Sequence, residues 1–211
     1  YMKYDIYSIG IMIAVISFLG FVLENSWLAV TKGFIDNRNM NLPFLFGYGL
    51  LVTGMYYTLG TPQDIMLLGK YPVTLTPLGN ALTYFFLCMV IVSLGEIALG
   101  YTVEKLCGFE YWNYTRLPMH ITKYTSIPTS IGFAFLITLF MGYAFPAIMD
   151  IISTFGTDNI RSAAEVLVAA MAVDFIASFA RMYKNRSLYV KWRIDLDDLK
   201  ENMQLRNFRL K

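Results

Sequence analysis

Apolar runs of about 20 residues recur along this chain, and a run of that length matches the roughly 30 Å hydrocarbon core of a bilayer. Only helices or closed barrels satisfy their backbone inside lipid, and continuous apolar runs read as helices. Composition agrees. Of the 211 residues, 56% are hydrophobic and 15% charged, with a mean hydropathy of +0.50, whereas soluble domains carry about 25% charged residues. The predicted fold class is all-α: a polytopic membrane protein, a bundle of about five transmembrane helices, with a C-terminal amphipathic helix.

The predicted spans run from about Ile6 to Val30, Leu42 to Leu59, Leu78 to Leu106, Ile127 to Ile152 and Ala163 to Arg181. The second is short and holds three glycines, so a broken or re-entrant segment is the alternative there. The first run is too long for the apolar region of a cleaved signal peptide and is expected to remain as a span. Residues 1–181 then form the membrane domain and 182–211 a basic tail.

Cytoplasmic loops carry an excess of Lys and Arg. With five spans and the tail in the cytoplasm, only Lys3, Lys70 and Arg161 of the 17 lysines and arginines fall outside. The N-terminus is therefore expected outside. Trp192, Leu196, Leu199 and Met203 share one helical face of the tail, which reads as a helix lying on the inner membrane surface or docking a partner. Ala163, Ala170 and Ala177 recur every seventh residue and would allow close helix packing. Cys88 and Cys107 fall about 28 Å apart along one predicted helix, too far for a disulfide, and are expected to pack.

Four carboxylates lie within the spans and toward the expected cytoplasmic side: Glu24, Glu96, Glu104 and Asp174. Ionisable residues at such depth usually face the bundle interior or a wet cavity; the alternative is that Glu24 and Glu104 mark helix ends at the headgroups. Glu96 and Glu104 share a helix face with Gly100 between them. The two inner loops are rich in amides and aromatics: Asn37, Arg38, Asn39 and Asn41 in one, Trp112, Asn113, Tyr114, Arg116 and His120 in the other. The candidate substrate-binding residues are Glu24, Asn25, Asn37, Arg38, Glu96, Glu104, Trp112, Tyr114 and Asp174. No metal-ligand spacing, nucleophile arrangement or nucleic-acid motif is visible, and no cofactor is implied.

An internal echo accompanies these residues. Leu19–Asn25 reads LGFVLEN and Leu99–Lys105 reads LGYTVEK, each followed by a polar, aromatic turn and a Leu-Pro (Leu42-Pro43, Leu117-Pro118). Both copies end a helix of the same direction, so the repeat would be parallel, about an axis along the membrane normal.

The Gly20-x-x-x-Glu24 helix end, the Asn37-Arg38 turn leading to Pro43 and Tyr48-Gly49, and Glu104 followed by Trp112-x-Tyr114 resemble one family. It is the bacterial family labelled putative ABC-transporter type IV, or CmpB-like permease. The resemblance covers roughly Gly20 to Ile131. It implies a small multispanning permease-like protein of the bacterial cell membrane. Two features depart from the family pattern: "NMNLPF" stands where the turn carries Gly and Gly-Pro, and Asn113 replaces an Asp, which puts acid–base work at that position in doubt. An ATP-binding half is not visible; Gly60–Lys70 has the wrong glycine spacing for a phosphate loop, so coupling would need a separate ATPase subunit.

Three readings stay open. The first is a permease handling a small polar or cationic solute through a cytoplasm-facing cavity lined by the carboxylates. The second is a membrane-embedded enzyme acting on a lipid or headgroup, with paired carboxylates as acid and base and Arg38 holding a phosphate. The third is a non-catalytic assembly or regulatory subunit. The partners these imply are membrane lipids, a small polar solute or lipid headgroup, and a separate ATPase subunit or a second copy of the chain, with no nucleic acid.

Overall fold

The computed structural model describes residues 4–198. Helix α1 (Ile6–Lys32) starts where the Asp5 carboxylate accepts the Tyr7 and Ser8 N–H groups, and ends at Gly33, which takes φ 73°. Helix α3 (Pro77–Cys107) starts behind Thr76, whose side chain accepts the Gly79 N–H, with Pro77 in its first turn; it ends at Gly108, φ 75°. These side-chain caps and left-handed glycines supply partners for the backbone groups that a helix end leaves free. Between them lies α2 (Phe46–Leu59), and after them α4 (Ile127–Leu139), α5 (Phe145–Ser153) and α6 (Thr157–Asn185). Among the described residues, four helical stretches are long and apolar enough to cross a membrane: Ile6–Lys32, Pro77–Cys107, Ile127–Ser153 and Thr157–Asn185.

The second predicted span is one unbroken helix of 14 residues, about 21 Å long. Its glycines do not break it. A Cβ on Gly49 would stand 2.5 Å from the Ile13 carbonyl oxygen and 2.5 Å from Ser17 Oγ, so the missing side chain lets α2 lie against α1. The residues ahead of it, 33–45, fold back along the last turns of α1, with the Leu45 N–H donating to the Ser17 carbonyl at 2.9 Å. Non-helical backbone is tolerated at such depth where protein buries it, and Asp36, Asn37, Asn39, Met40 and Leu45 are all buried.

The fourth span is helical but interrupted. A π-helical turn, Phe140–Ala144, separates α4 from α5. Pro146 has no N–H to give to the carbonyl four residues back, and that carbonyl, on Gly142, instead accepts the Gln63 side-chain amide at 2.6 Å. Gln63 comes from the three-stranded β2–β3–β4 meander (Gly60–Thr61, Asp64–Leu67, Tyr71–Val73). The segment between Pro62 and Pro72 is thus a hairpin whose Ile65 is fully buried.

Helix α1 packs closely on α2 and α6, and α3 packs on α4. The two groups meet through large side chains of a shared core that includes Met12, Met55, Tyr84, Cys88, Met141 and Phe145. A smaller core joins α3 to α6 at the other end through Val103, Cys107 and Met182. Both cysteines are thus buried packing residues. The small residue that brings α6 close to α1 is Ala164, against Gly10; Ala163 and Ala170 are exposed, so the contact face lies one residue along from the predicted stripe.

The tail also differs from expectation. Arg193–Asp195 forms a strand antiparallel to β1 (Phe34–Asp36), so the stretch containing Trp192 and Ile194 is not a surface helix; residues 196–198 beyond it are helical. Loop anchors dictate this: Asn37 Nδ2 donates to the Tyr189 carbonyl and Asn37 Oδ1 accepts the Lys191 N–H. Leu199 and Met203 lie outside the described residues.

Candidate functional site

All four carboxylates gather at the end of the bundle that carries the tail. At the first helix pair, Glu24 accepts from both Nε and Nη2 of Arg38, at 2.7 and 2.5 Å, and from the Tyr48 hydroxyl at 2.8 Å. Arg38 is placed by a turn closed by the Met40 N–H on the Asn37 carbonyl, in which Arg38 and Asn39 take φ of 47° and 64°. Positive φ is uncommon outside glycine and costs about 1–3 kcal/mol when held. Holding it are the Asp36 carboxylate on the Arg38 N–H at 2.8 Å, Asn25 Oδ1 on the Asp36 N–H at 2.8 Å, and Asn39 Nδ2 on the Tyr111 hydroxyl at 2.8 Å. Burial opposes charge on Arg38, but the Glu24 carboxylate beside it overrides this and raises its pKa further.

The second helix pair repeats the device. Glu104 accepts from Lys123 Nζ at 2.6 Å and from the Tyr124 hydroxyl at 2.8 Å. In each copy the tyrosine ring lies on the glycine four residues before the glutamate: a Cβ on Gly20 would stand 2.7 Å from Tyr48, and one on Gly100 would stand 2.5 Å from Tyr124. The two units are Gly20–Glu24–Arg38–Tyr48 and Gly100–Glu104–Lys123–Tyr124. This places the LGFVLEN and LGYTVEK echo on matching geometry. Lys123 also bonds Glu110 at 3.0 Å, and these two bonds raise its pKa. Glu110, held by Asn113 and Lys123, is lowered.

Glu96 differs from the rest. Its oxygens meet the Thr125 hydroxyl at 2.6 Å and the Tyr114 hydroxyl at 3.5 Å, and Thr125 joins Ser130, which joins Ser93. No described cation pairs with it. Tyr114 faces both Glu96 and Glu24: burial first, then those two carboxylates, push its phenol up. Burial and then Glu24 push the Tyr111 phenol up to about 12. Glu24, Glu96, Arg38, Tyr48, Tyr111 and Tyr114 therefore form one polar junction between the helix pairs.

Asp174 is held apart from that junction. It is 7% exposed and accepts the N–H groups of Asn41 and Leu42 and the Asn41 side chain. Asn41 Oδ1 in turn accepts from Arg181 and Tyr189. Trp112 donates to the Tyr124 carbonyl at 2.7 Å, so it supports the second unit, and Asn113 and His120 are exposed. Lys123, Tyr124, Asp36 and Thr125 were not among the residues singled out from sequence. The echo points toward the first two, but Arg38 follows its glutamate by 14 residues and Lys123 by 19, and unequal loops hide the correspondence.

Arg38→Ala leaves Glu24 with Tyr48 as its described partner, while the bonds that hold the turn, on the Arg38 and Asp36 N–H groups and from Asn39 to Tyr111, remain. We expect a loss of about 1.5–3 kcal/mol, the scale of a hydrogen bond to a charged group. Thermal unfolding in detergent reads this, and an unchanged midpoint would count against the ion pair as a fastener.

Two surface grooves are apolar. One is lined by Leu50, Leu51, Gly54, Thr58, Tyr71 and Ile91, among others, where α2 faces α3; the second lies where α3 faces α6. None of the four carboxylates lines either. The profile of a family described as "Putative ABC-transporter type IV" matches residues 11–179. No curated protein and no solved structure matches the chain significantly.

Proposed function

The chain belongs to the putative ABC-transporter type IV family, and from that premise we propose that it is a permease-like membrane protein whose polar junction handles a small polar or cationic solute. The supporting observation is Glu96. Three of the four carboxylates are satisfied by cations or backbone N–H groups, and among the described residues Glu96 meets only hydroxyls. A carboxylate at membrane depth with no counter-cation is the group best suited to take a proton or a cationic solute. Tyr114, between Glu96 and Glu24, would carry the signal to the Arg38 pair. In this reading Glu24, Glu96, Arg38, Trp112 and Tyr114 surround or support the solute site, while Asn25, Asn37, Glu104 and Asp174 hold the loops in place.

Both apolar grooves lie between the α3–α4 pair and the α1–α2–α6 group, which suits motion of one group against the other about a site near their junction. In the orientation set by Lys and Arg the junction faces the cytoplasm and the N-terminus lies outside, in the cell membrane. A separate ATPase subunit would supply coupling there.

Native mass spectrometry of protein purified in mild detergent, wild type beside Glu96→Gln, tests this. We expect a small polar solute retained by the wild type and reduced at least tenfold in the variant, a loss of about 1.4 kcal/mol or more. Equal retention would remove Glu96 from the site. A phospholipid or lipid-linked sugar lost in its place would favour the enzyme reading.

A further inference from the structure

The groove between α3 and α6 has a volume of about 500 Å³ and is lined by Leu106, Phe175, Ile176, Phe179, Ala180 and Tyr183. It runs along α6 for about 12 Å, from Phe175 to Tyr183. Its walls belong to two of the membrane-spanning helices and remain open, with Ile176 65% and Leu106 44% exposed. At the tail end its mouth changes character. Ala180 and Lys184 are one turn apart on α6, so Lys184 lies directly beyond the apolar wall. Arg186 caps α6 in the left-handed region, φ 54°. Its guanidinium lies 4.8 Å over the Tyr183 ring and donates to the Leu106 carbonyl on the opposite wall. Arg186 thus bridges both walls where the groove reaches the end of the spans.

We infer that this groove binds an anionic phospholipid, with an acyl chain along Phe175–Tyr183 and the phosphate at Lys184 and Arg186. The charges fit that occupant. Lys184 makes no ion pair among the described residues, and the acids next along α3 and its loop, Glu104 and Glu110, are taken by Lys123. Lys105, beside Leu106 on α3, reaches the Tyr101 hydroxyl and no described carboxylate. Among the described residues the mouth therefore carries cations without matching anions, at the level where Tyr183 sits as an interfacial aromatic. A soluble anion would use the cations and leave the apolar wall bare. A neutral lipid would use the wall and leave the cations unmatched. An anionic lipid answers both, since each Lys or Arg near the surface adds attraction for an anionic headgroup.

The test is native mass spectrometry of the intact protein in mild detergent, titrated with phosphatidylglycerol and with phosphatidylcholine of the same acyl chains. Wild type should hold phosphatidylglycerol about thirtyfold more tightly, the scale expected of two interfacial cations. Lys184→Glu, at a side chain with no described partner, should bring the preference to within about twofold without shifting the melting temperature. Ala180→Phe fills the groove and should weaken both lipids together while the charges stay. Absence of a preference in wild type, or a preference untouched by Lys184→Glu or affinities untouched by Ala180→Phe, would overturn the site. Glu96→Gln should leave the preference unchanged, so this inference and the solute reading fail separately.

Discussion

Replacing Gly49 with alanine should destabilise the protein by about 3 kcal/mol, at the upper end of the range for overpacking. The added Cβ would meet the Ile13 carbonyl oxygen and Ser17 Oγ, each at 2.5 Å, and Ile13 Cγ2 at 2.8 Å. None can step aside cheaply. One is helix backbone, and Ser17 Oγ already donates to that same carbonyl at 2.7 Å. The helices must separate, and the strain passes to Tyr48, the neighbouring residue, whose ring lies on Gly20 and whose hydroxyl serves Glu24. Gly54, one further turn along α2, has nothing within 4 Å of its would-be Cβ. Gly54→Ala should therefore be neutral or stabilising by up to about 1 kcal/mol through helix propensity. A drop of about 10 °C in the melting temperature for Gly49→Ala, against no loss for Gly54→Ala, is the expected pattern. Equal behaviour of the two variants would contradict the close approach of α1 and α2.

Asp174→Ala should cost a similar amount, about 3 kcal/mol, by a different route. The carboxylate accepts the Asn41 N–H at 3.1 Å, the Leu42 N–H at 2.8 Å and Asn41 Nδ2 at 2.6 Å, with Ser178 Oγ at 3.3 Å. Alanine leaves two backbone donors without an acceptor where water is scarce. The loop that descends along α1 then keeps only side-chain bonds to α6, those of Asn41 with Arg181 and Ser178, and loses the backbone anchor that sets the register aiming Arg38 at Glu24. Asp174→Asn keeps an acceptor but turns an NH2 toward the donors, so it should fall between alanine and wild type. Hydrogen exchange at the Leu42 amide is the direct reading: acceleration on the order of a hundredfold in Asp174→Ala is expected. Unchanged protection at Leu42 would mean the loop is held by other bonds.

Positions 24, 38, 49 and 174 show where the sequence is readable. Glu24 and Arg38 could be suspected as partners because both sit at one helix end and its following turn. Asp174 could be flagged as an unusual charge in an apolar run, but nothing local indicated that it anchors backbone N–H groups more than 130 residues earlier. Gly49 looked like a helix breaker for the same reason that it is useful: with no Cβ it weakens a helix in isolation and permits contact in a bundle. Trp192 and Leu196 fall at helical spacing, but helix begins only at residue 196; over Arg193–Asp195 pairing with Phe34–Asp36 outweighs that local pattern, since strand formation is decided by the partner more than by the segment.

Hydrophobic run length settled by itself that this is a multispanning helical membrane protein, because lipid offers no other partner for backbone polar groups and each helix satisfies its own. The placement of the carboxylates at one end also followed from sequence, once the spans were drawn. What each carboxylate touches was decided by the tertiary structure alone. The loops that return along α1 and α3 differ in length and order, so matching clamps, Glu24 with Arg38 and Tyr48, Glu104 with Lys123 and Tyr124, arise at unmatched spacings. Ion pairs and hydrogen bonds depend on distances of 2.5–3.5 Å, and those distances are fixed by how whole helices pack, which no periodicity along the chain records.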